Sequence, residues 1–192
     1  MNILKTVLTT VLCTVTTVAP ALANPSVEQR QRSQFSETHK LLTKLGVTMN
    51  LNEISCQLDG NSLRNVTGMY YPSSATMCVV DWKIIGEKEW YQTVYHEAFH
   101  AIQDGLDTKL ADGKMNSLFI DCRKVRTASV CNKLYANVYH SASPSIQKHA
   151  NNYSAKQTDS KQQWLEKEAV LFSDYPEMFP PLLRLLLKNV KQ

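Results

Sequence analysis

Residues 95–100 read Tyr-His-Glu-Ala-Phe-His, and the surroundings of this hexapeptide restrict the fold more than any other part of the chain. Between Glu89 and Asp104 there is neither Gly nor Pro, and Gly105 follows directly. The stretch therefore reads as one helix with a glycine stop. At about 100° per residue, Trp90, Tyr91, Val94, Tyr95, Ala98, Ala101 and Ile102 share one broad face. His96 and His100 fall on the other side, with Gln92, Thr93 and Gln103. Such a helix must lay its apolar face on a core, and both imidazoles are then expected to look out into a cleft.

The spacing H-E-x-x-H has a chemical reason. Imidazoles four residues apart stack on one helix face, so two ring nitrogens can meet a single Zn²⁺ at about 2.0–2.1 Å. Glu97, about 100° further round, cannot easily join that sphere, but it can reach a water and serve as general base. The plainer alternative is two surface histidines on an amphipathic helix. A catalytic zinc usually takes three protein ligands, so a third must come from elsewhere. A metzincin would continue H-x-x-G-x-x-H, but Gln103 and Leu106 stand at those positions and exclude it. Asp121 lacks a G-T-x-D setting.

Trp164–Phe172 (WLEKEAVLF) offers two glutamates on an expected helix. With Trp164 at zero, Glu168 falls at about 40°, in the middle of the face made by Trp164, Leu165, Leu171 and Phe172. Glu166 falls at about 200°, beside Gln162 and Ser173. A carboxylate in an apolar face is costly unless its charge is compensated, and Zn²⁺ would compensate it. Glu168 is thus the expected third ligand; a buried Arg or Lys partner is the alternative.

The ends and cysteines set the setting. Met1–Ala23 carries one charge, Lys5, then an apolar, Thr-rich run closed by Ala21-Leu22-Ala23. It reads as a cleaved secretory signal, leaving 24–192 as a single domain with no later segment able to span a bilayer. Cys56, Cys78, Cys122 and Cys131 then remain, an even count suited to two disulfides, expected as Cys56–Cys78 and Cys122–Cys131. A net charge of +4 with well-mixed signs excludes a dedicated nucleic-acid surface. Ser26–Leu45 reads as a helix, Val47–Leu58 as a strand, and Thr67–Asp81 as two strand pieces around Pro72-Ser73-Ser74. Short helices are expected over Val130–His140, Ser145–Tyr153, Gln162–Ser173 and Pro181–Val190. The fold class is α+β, a small sheet beside the HExxH helix with a mostly helical C-terminal half.

With these pieces in place the sequence resembles the compact gluzincin metallopeptidases. The matching pieces are Gly68–Pro72 through Val80 for a substrate-binding strand, His96–His100 for the active-site helix, and Glu166–Ala169 for the ligand helix. The resemblance implies a zincin-like fold, a Zn²⁺ cofactor, and a peptide or protein substrate held by backbone pairing near Met77–Val80. Its E-x-x-A form favours Glu166 as ligand, against the helical wheel. Tyr135, Tyr139, His140 and Tyr153 are candidate oxyanion donors, whereas His39 and His149 read as ordinary surface positions. The expectation is an exported zinc metallopeptidase, periplasmic or secreted. The competing reading is a non-catalytic exported module that uses the same scaffold for zinc or partner binding.

Overall fold

A computed structural model describes residues 25–58, 61–62, 66–107, 109–122 and 142–188. The expected signal segment Met1–Ala23, the expected helix Val130–His140 and Cys131 lie outside them. Helix α1 (Val27–Leu45) opens on a capping box, in which the Gln29 N–H donates to the Ser26 hydroxyl and the Ser26 N–H donates to the Gln29 side chain. It stops at Gly46, whose φ of 106° suits glycine and whose N–H reaches the Leu42 and Thr43 carbonyls.

The strand expected over Val47–Leu58 divides in two. β1 (Thr48–Glu53) joins the main sheet, while β2 (Gln57–Leu58) pairs with β3 (Asn61–Ser62). The two pieces expected around Pro72 are β4 (Gly68–Tyr71) and β5 (Thr76–Val80), an antiparallel pair. β1 lies parallel to β5 on its other side, so the order is β1-β5-β4. The expected Cys56–Cys78 disulfide ties the chain beyond β1 to β5. Cys122 is also disulfide-bonded.

This order corrects one expectation. Met77–Val80 belongs to the central strand, both edges of which are occupied, so it has no peptide groups left for a substrate. The outer edge belongs to β4. The Val80 N–H donates to the Thr67 carbonyl at 2.9 Å, so the antiparallel alternation turns the peptide groups of Gly68 and Tyr70 outward. Among the described residues no strand pairs with them.

After β5 a short helix, α2 (Trp82–Ile85), is capped by Asp81, and Gly86 at φ 88° turns the chain into α3 (Glu87–Asp104). α3 begins two residues before the expected start, where Glu87 and Glu89 favour the positive end of the helix dipole. α4 (Pro144–Ser154) is capped by Ser143 with proline in its first turn, and α5 (Ser160–Ser173) is capped by Asp159. A 3₁₀ turn at Pro176–Met178 leads into α6 (Phe179–Leu187). The fold is mixed α+β. No helix among the described residues is long and apolar enough to cross a membrane.

α3 lies at the centre, against β4 and β5 and against α1, α5 and α6. Its apolar face is buried as its periodicity requires, with Val94, Tyr95, Ala98, Ala101 and Ile102 all inaccessible or nearly so. Phe99 stacks on Phe172 of α5 at 4.2 Å, and Tyr95 meets the edge of Phe179 of α6 at 4.8 Å. The Tyr95 hydroxyl donates to the Gln31 carbonyl, and the Gln31 amide donates to the Ser173 carbonyl, locking α1, α3 and α5 together. The expected open face of α3 survives only in its first half. From Glu97 to Asp104 every residue is buried, because α5 lies along the histidine side.

Candidate metal centre

α3 and α5 bring three side chains to one point. The Nε2 atoms of His96 and His100 are 3.2 Å apart, Glu166 Oε2 is 3.2 Å from His96 Nε2, and Glu166 Oε1 is 3.6 Å from His100 Nε2. These ligand atoms all lie within 4.8 Å of one another, a group able to hold a metal ion. The helical reason for the histidine pair is the four-residue spacing; the carboxylate arrives only because α5 packs across the same face of α3. The Gln162 amide, one turn before Glu166, donates to its Oε1 at 2.8 Å.

Glu168, the expected third ligand, is not in this group. The helical wheel located it correctly in the buried face of α5, where it is 0% exposed. Its charge is met by something other than a cation. Ser117 Oγ and the Phe119 N–H donate to Oε1 at 2.6 and 2.7 Å, while the Leu118 N–H and Gln103 Nε2 donate to Oε2 at 2.8 and 2.9 Å. Four donors replace the hydration of one carboxylate, so no metal is required there. Burial raises the Glu168 pKa, while Ser117, Phe119, Gln103 and Leu118 pull it back. Glu166, assigned by the wheel to a solvent face, is buried too, because that face meets the histidines. Asp121 accepts from the Ser117 N–H, away from the group.

The charges in the site are mutually tuned. Burial opposes ionisation of Glu166, but hydrogen bonds and charge from His100 and His96 hold its carboxyl well below the usual carboxylate range. Burial alone would lower the His100 pKa, yet the hydrogen bond and charge of Glu166, with help from Glu97 and Gln103, push it up to about 9. Glu97 goes the other way. Its burial raises the carboxyl pKa, against the pull of His96 and His100 and of the Tyr70 N–H. A buried carboxyl with a raised pKa beside two imidazoles is a group that can take up and release a proton.

Glu97 sits directly under the start of β4. A Cβ added at Gly68 would lie 2.4 Å from Thr93 Cγ2, 3.0 Å from Glu97 Cγ and 3.2 Å from Glu97 Oε1. Only glycine lets the strand edge approach the carboxyl this closely. A cleft of about 780 Å³ opens over the group, its walls including Thr67, Gly68, Gln92, Thr93, His149 and Tyr153. Of the four expected oxyanion donors, Tyr153 is the one within the described residues. Its ring meets that of His96 edge-on at 5.7 Å, and burial together with the charges of Glu166 and Glu97 raises its pKa and keeps the phenol protonated. His149, read from sequence as an ordinary surface residue, lines the cleft one turn before Tyr153. His39 stays with that ordinary role, its ring beside Phe35.

Two participants had faint sequence signals. Gly68 is the first residue of β4, a glycine at the head of a strand-like run. Gln103 shares the polar side of α3 with both histidines, but nothing local shows what it touches. Comparisons with family models, with curated proteins and with solved structures returned no match.

Proposed function

We propose that this protein is an exported zinc metallopeptidase of the compact gluzincin kind, with His96, His100 and Glu166 as zinc ligands and Glu97 as general base. The observation that carries the reading is the convergence of two imidazole nitrogens and one carboxylate at near-zinc spacing. A tetrahedral zinc with bonds of about 2.0–2.1 Å needs ligand atoms about 3.3–3.4 Å apart. Here the two imidazole Nε2 atoms are 3.2 Å apart, and they lie 3.2 and 3.6 Å from the two different oxygens of Glu166, Oε2 and Oε1, so the carboxylate faces the space between the rings. One imidazole pair and one carboxylate is also a donor set that zinc favours and that leaves a position open.

Zinc bound there would polarise a substrate carbonyl and lower the pKa of a water. The chain's own residues supply the rest. Glu97 takes the proton of the attacking water on its carboxylate and passes it to the leaving amine. An extended peptide pairs with the outward peptide group of Gly68 and the Tyr70 carbonyl, while the Tyr70 N–H serves Glu97, which sets the peptide backbone along β4 above Glu97. Tyr153, with its phenol protonated, is the donor available to a developing oxyanion from the α4 side of the cleft. The Cys56–Cys78 disulfide and the signal-like Met1–Ala23 support export to an oxidising compartment.

The test is metal content together with cleavage of a peptide library by the purified protein. One zinc per chain and chelator-sensitive cleavage are expected. Glu97→Gln should keep the zinc and the fold while losing about 10²–10⁴-fold in turnover, the usual worth of such a proton transfer. Full turnover by that variant would refute the base assignment. Tightly held zinc with no cleavage of any peptide would instead support the non-catalytic module.

A further inference from the structure

Gln103 joins two residues that the helical wheel treated as rivals for different roles. It is fully buried one turn after His100, and its amide orientation is forced. One amide atom lies 3.1 Å from the Leu165 carbonyl oxygen and 2.9 Å from Glu168 Oε2. A carbonyl oxygen only accepts, so this atom must be the NH₂ nitrogen. The remaining atom, Oε1, is therefore an acceptor, and it lies 2.7 Å from His100 Nδ1. Nδ1 must then carry a proton. The other ring nitrogen, Nε2, is the one that faces His96 and Glu166.

We propose that Gln103 is a positioning residue, whose amide, held by the Leu165 carbonyl and by Glu168, fixes the His100 ring with its proton on Nδ1 and its Nε2 lone pair turned toward His96 and Glu166. The Leu165 carbonyl and Glu168 both accept from the same NH₂, so together they oppose a flip of the amide, which would present a donor to Nδ1. The neutral ring would then carry its proton on Nε2, in the position where a metal ligand needs a lone pair. Glu168 is itself anchored by Ser117, Leu118 and Phe119, so the chain of hydrogen bonds runs from that turn to the ring. α5 thus contributes two glutamates with divided labour, Glu166 directly in the group and Glu168 behind it.

The consequence for zinc rests on the function proposed above, whereas the tautomer does not, and two measurements separate them. The first is zinc affinity by competition with a chromophoric chelator. Gln103→Leu should bind zinc about 10–100-fold more weakly than the wild type, the range usual for an outer-shell partner. Leu183→Ala, which empties core space on α6, should lower the melting temperature without that loss of affinity. A folded Gln103→Leu protein that holds zinc as tightly as the wild type would overturn the proposal. The second measurement needs no variant: imidazole ¹⁵N shifts of the neutral His100 ring in the metal-free wild type. A protonated Nδ1 is expected, and a protonated Nε2 would overturn the proposal. If the wild type shows the Nδ1 tautomer yet binds no zinc, the tautomer assignment stands and the metallopeptidase reading falls.

Discussion

Replacing Gly68 by alanine is the sharpest test of how the sheet and the site fit together. At an ordinary strand position Gly→Ala stabilises by about 0.4–1 kcal/mol, because it restricts the unfolded chain. Gly68 has no positive φ to oppose the change, so the sign depends on space. The new Cβ would lie 2.4 Å from Thr93 Cγ2, more than 1 Å inside the ordinary carbon contact of about 3.5–4.0 Å. It would also press on Glu97 at 3.0 and 3.2 Å. Either β4 lifts from α3 or both side chains move, and overpacking of this kind costs about 1–3 kcal/mol. The melting temperature should therefore fall by several degrees instead of rising. Displacing the base or the strand by roughly 1 Å should lower kcat/KM on a peptide substrate about 10²-fold. The double variant Gly68→Ala/Thr93→Ser dissects the effect. Serine keeps the hydroxyl that meets Thr67 but removes Cγ2, so thermal stability should recover while activity stays low, because the contact with Glu97 remains. A Gly68→Ala protein with wild-type activity and a raised melting temperature would show that β4 does not abut Glu97.

Three further outcomes are expected. Glu166→Ala should abolish stoichiometric zinc binding, while Glu168→Gln, which keeps its size and part of its hydrogen bonding, should retain bound zinc at reduced affinity, both read by metal analysis after dialysis; the reverse ranking would restore Glu168 as ligand. Asp104, buried against Tyr70, has its pKa raised by burial from the ordinary 3.8 to about 6. Folding thus favours its protonated form, a contribution present in full below 3.8 and lost as the pH rises through 6, so Asp104→Asn should flatten the melting temperature against pH across that window; an unchanged slope would count against it. Removing the Cys56–Cys78 bridge, which spans a sequence separation of 22, should destabilise by about 3 kcal/mol in the chain-entropy view, measured by denaturant unfolding of the double alanine variant.

Several features of this protein were legible one turn at a time. The helix over Ser26–Leu45, the paired strands around Pro72, and the phase of His96 and His100 on α3 depend on residues within a few positions of each other, and local geometry carries them. The disulfide Cys56–Cys78 followed from cysteine spacing and an expected oxidising compartment. The pairing expected for Cys122 with Cys131, and the three other oxyanion candidates Tyr135, Tyr139 and His140, lie outside the described residues.

What the tertiary structure decided was the partner of each buried group. A helical wheel reports which residues of α5 are covered, and it placed Glu168 correctly inside; it does not report what covers them. Glu168 is satisfied by donors from Ser117, Leu118 and Phe119, about fifty positions earlier in the chain, and by Gln103 on another helix. Glu166 looked solvent-facing because its neighbours Gln162 and Ser173 are polar, yet that side of α5 lies on the two histidines. The free strand edge has the same origin. β4 and β5 are equally strand-like in sequence, and only the parallel docking of β1 on β5 makes β5 central and leaves β4 at the edge among the described residues. Hydrogen bonds and ion pairs between distant segments depend on packing in three dimensions, whereas helix phase depends on a repeat of 3.6 residues, so the histidine pair could be read from the chain and its third partner could not.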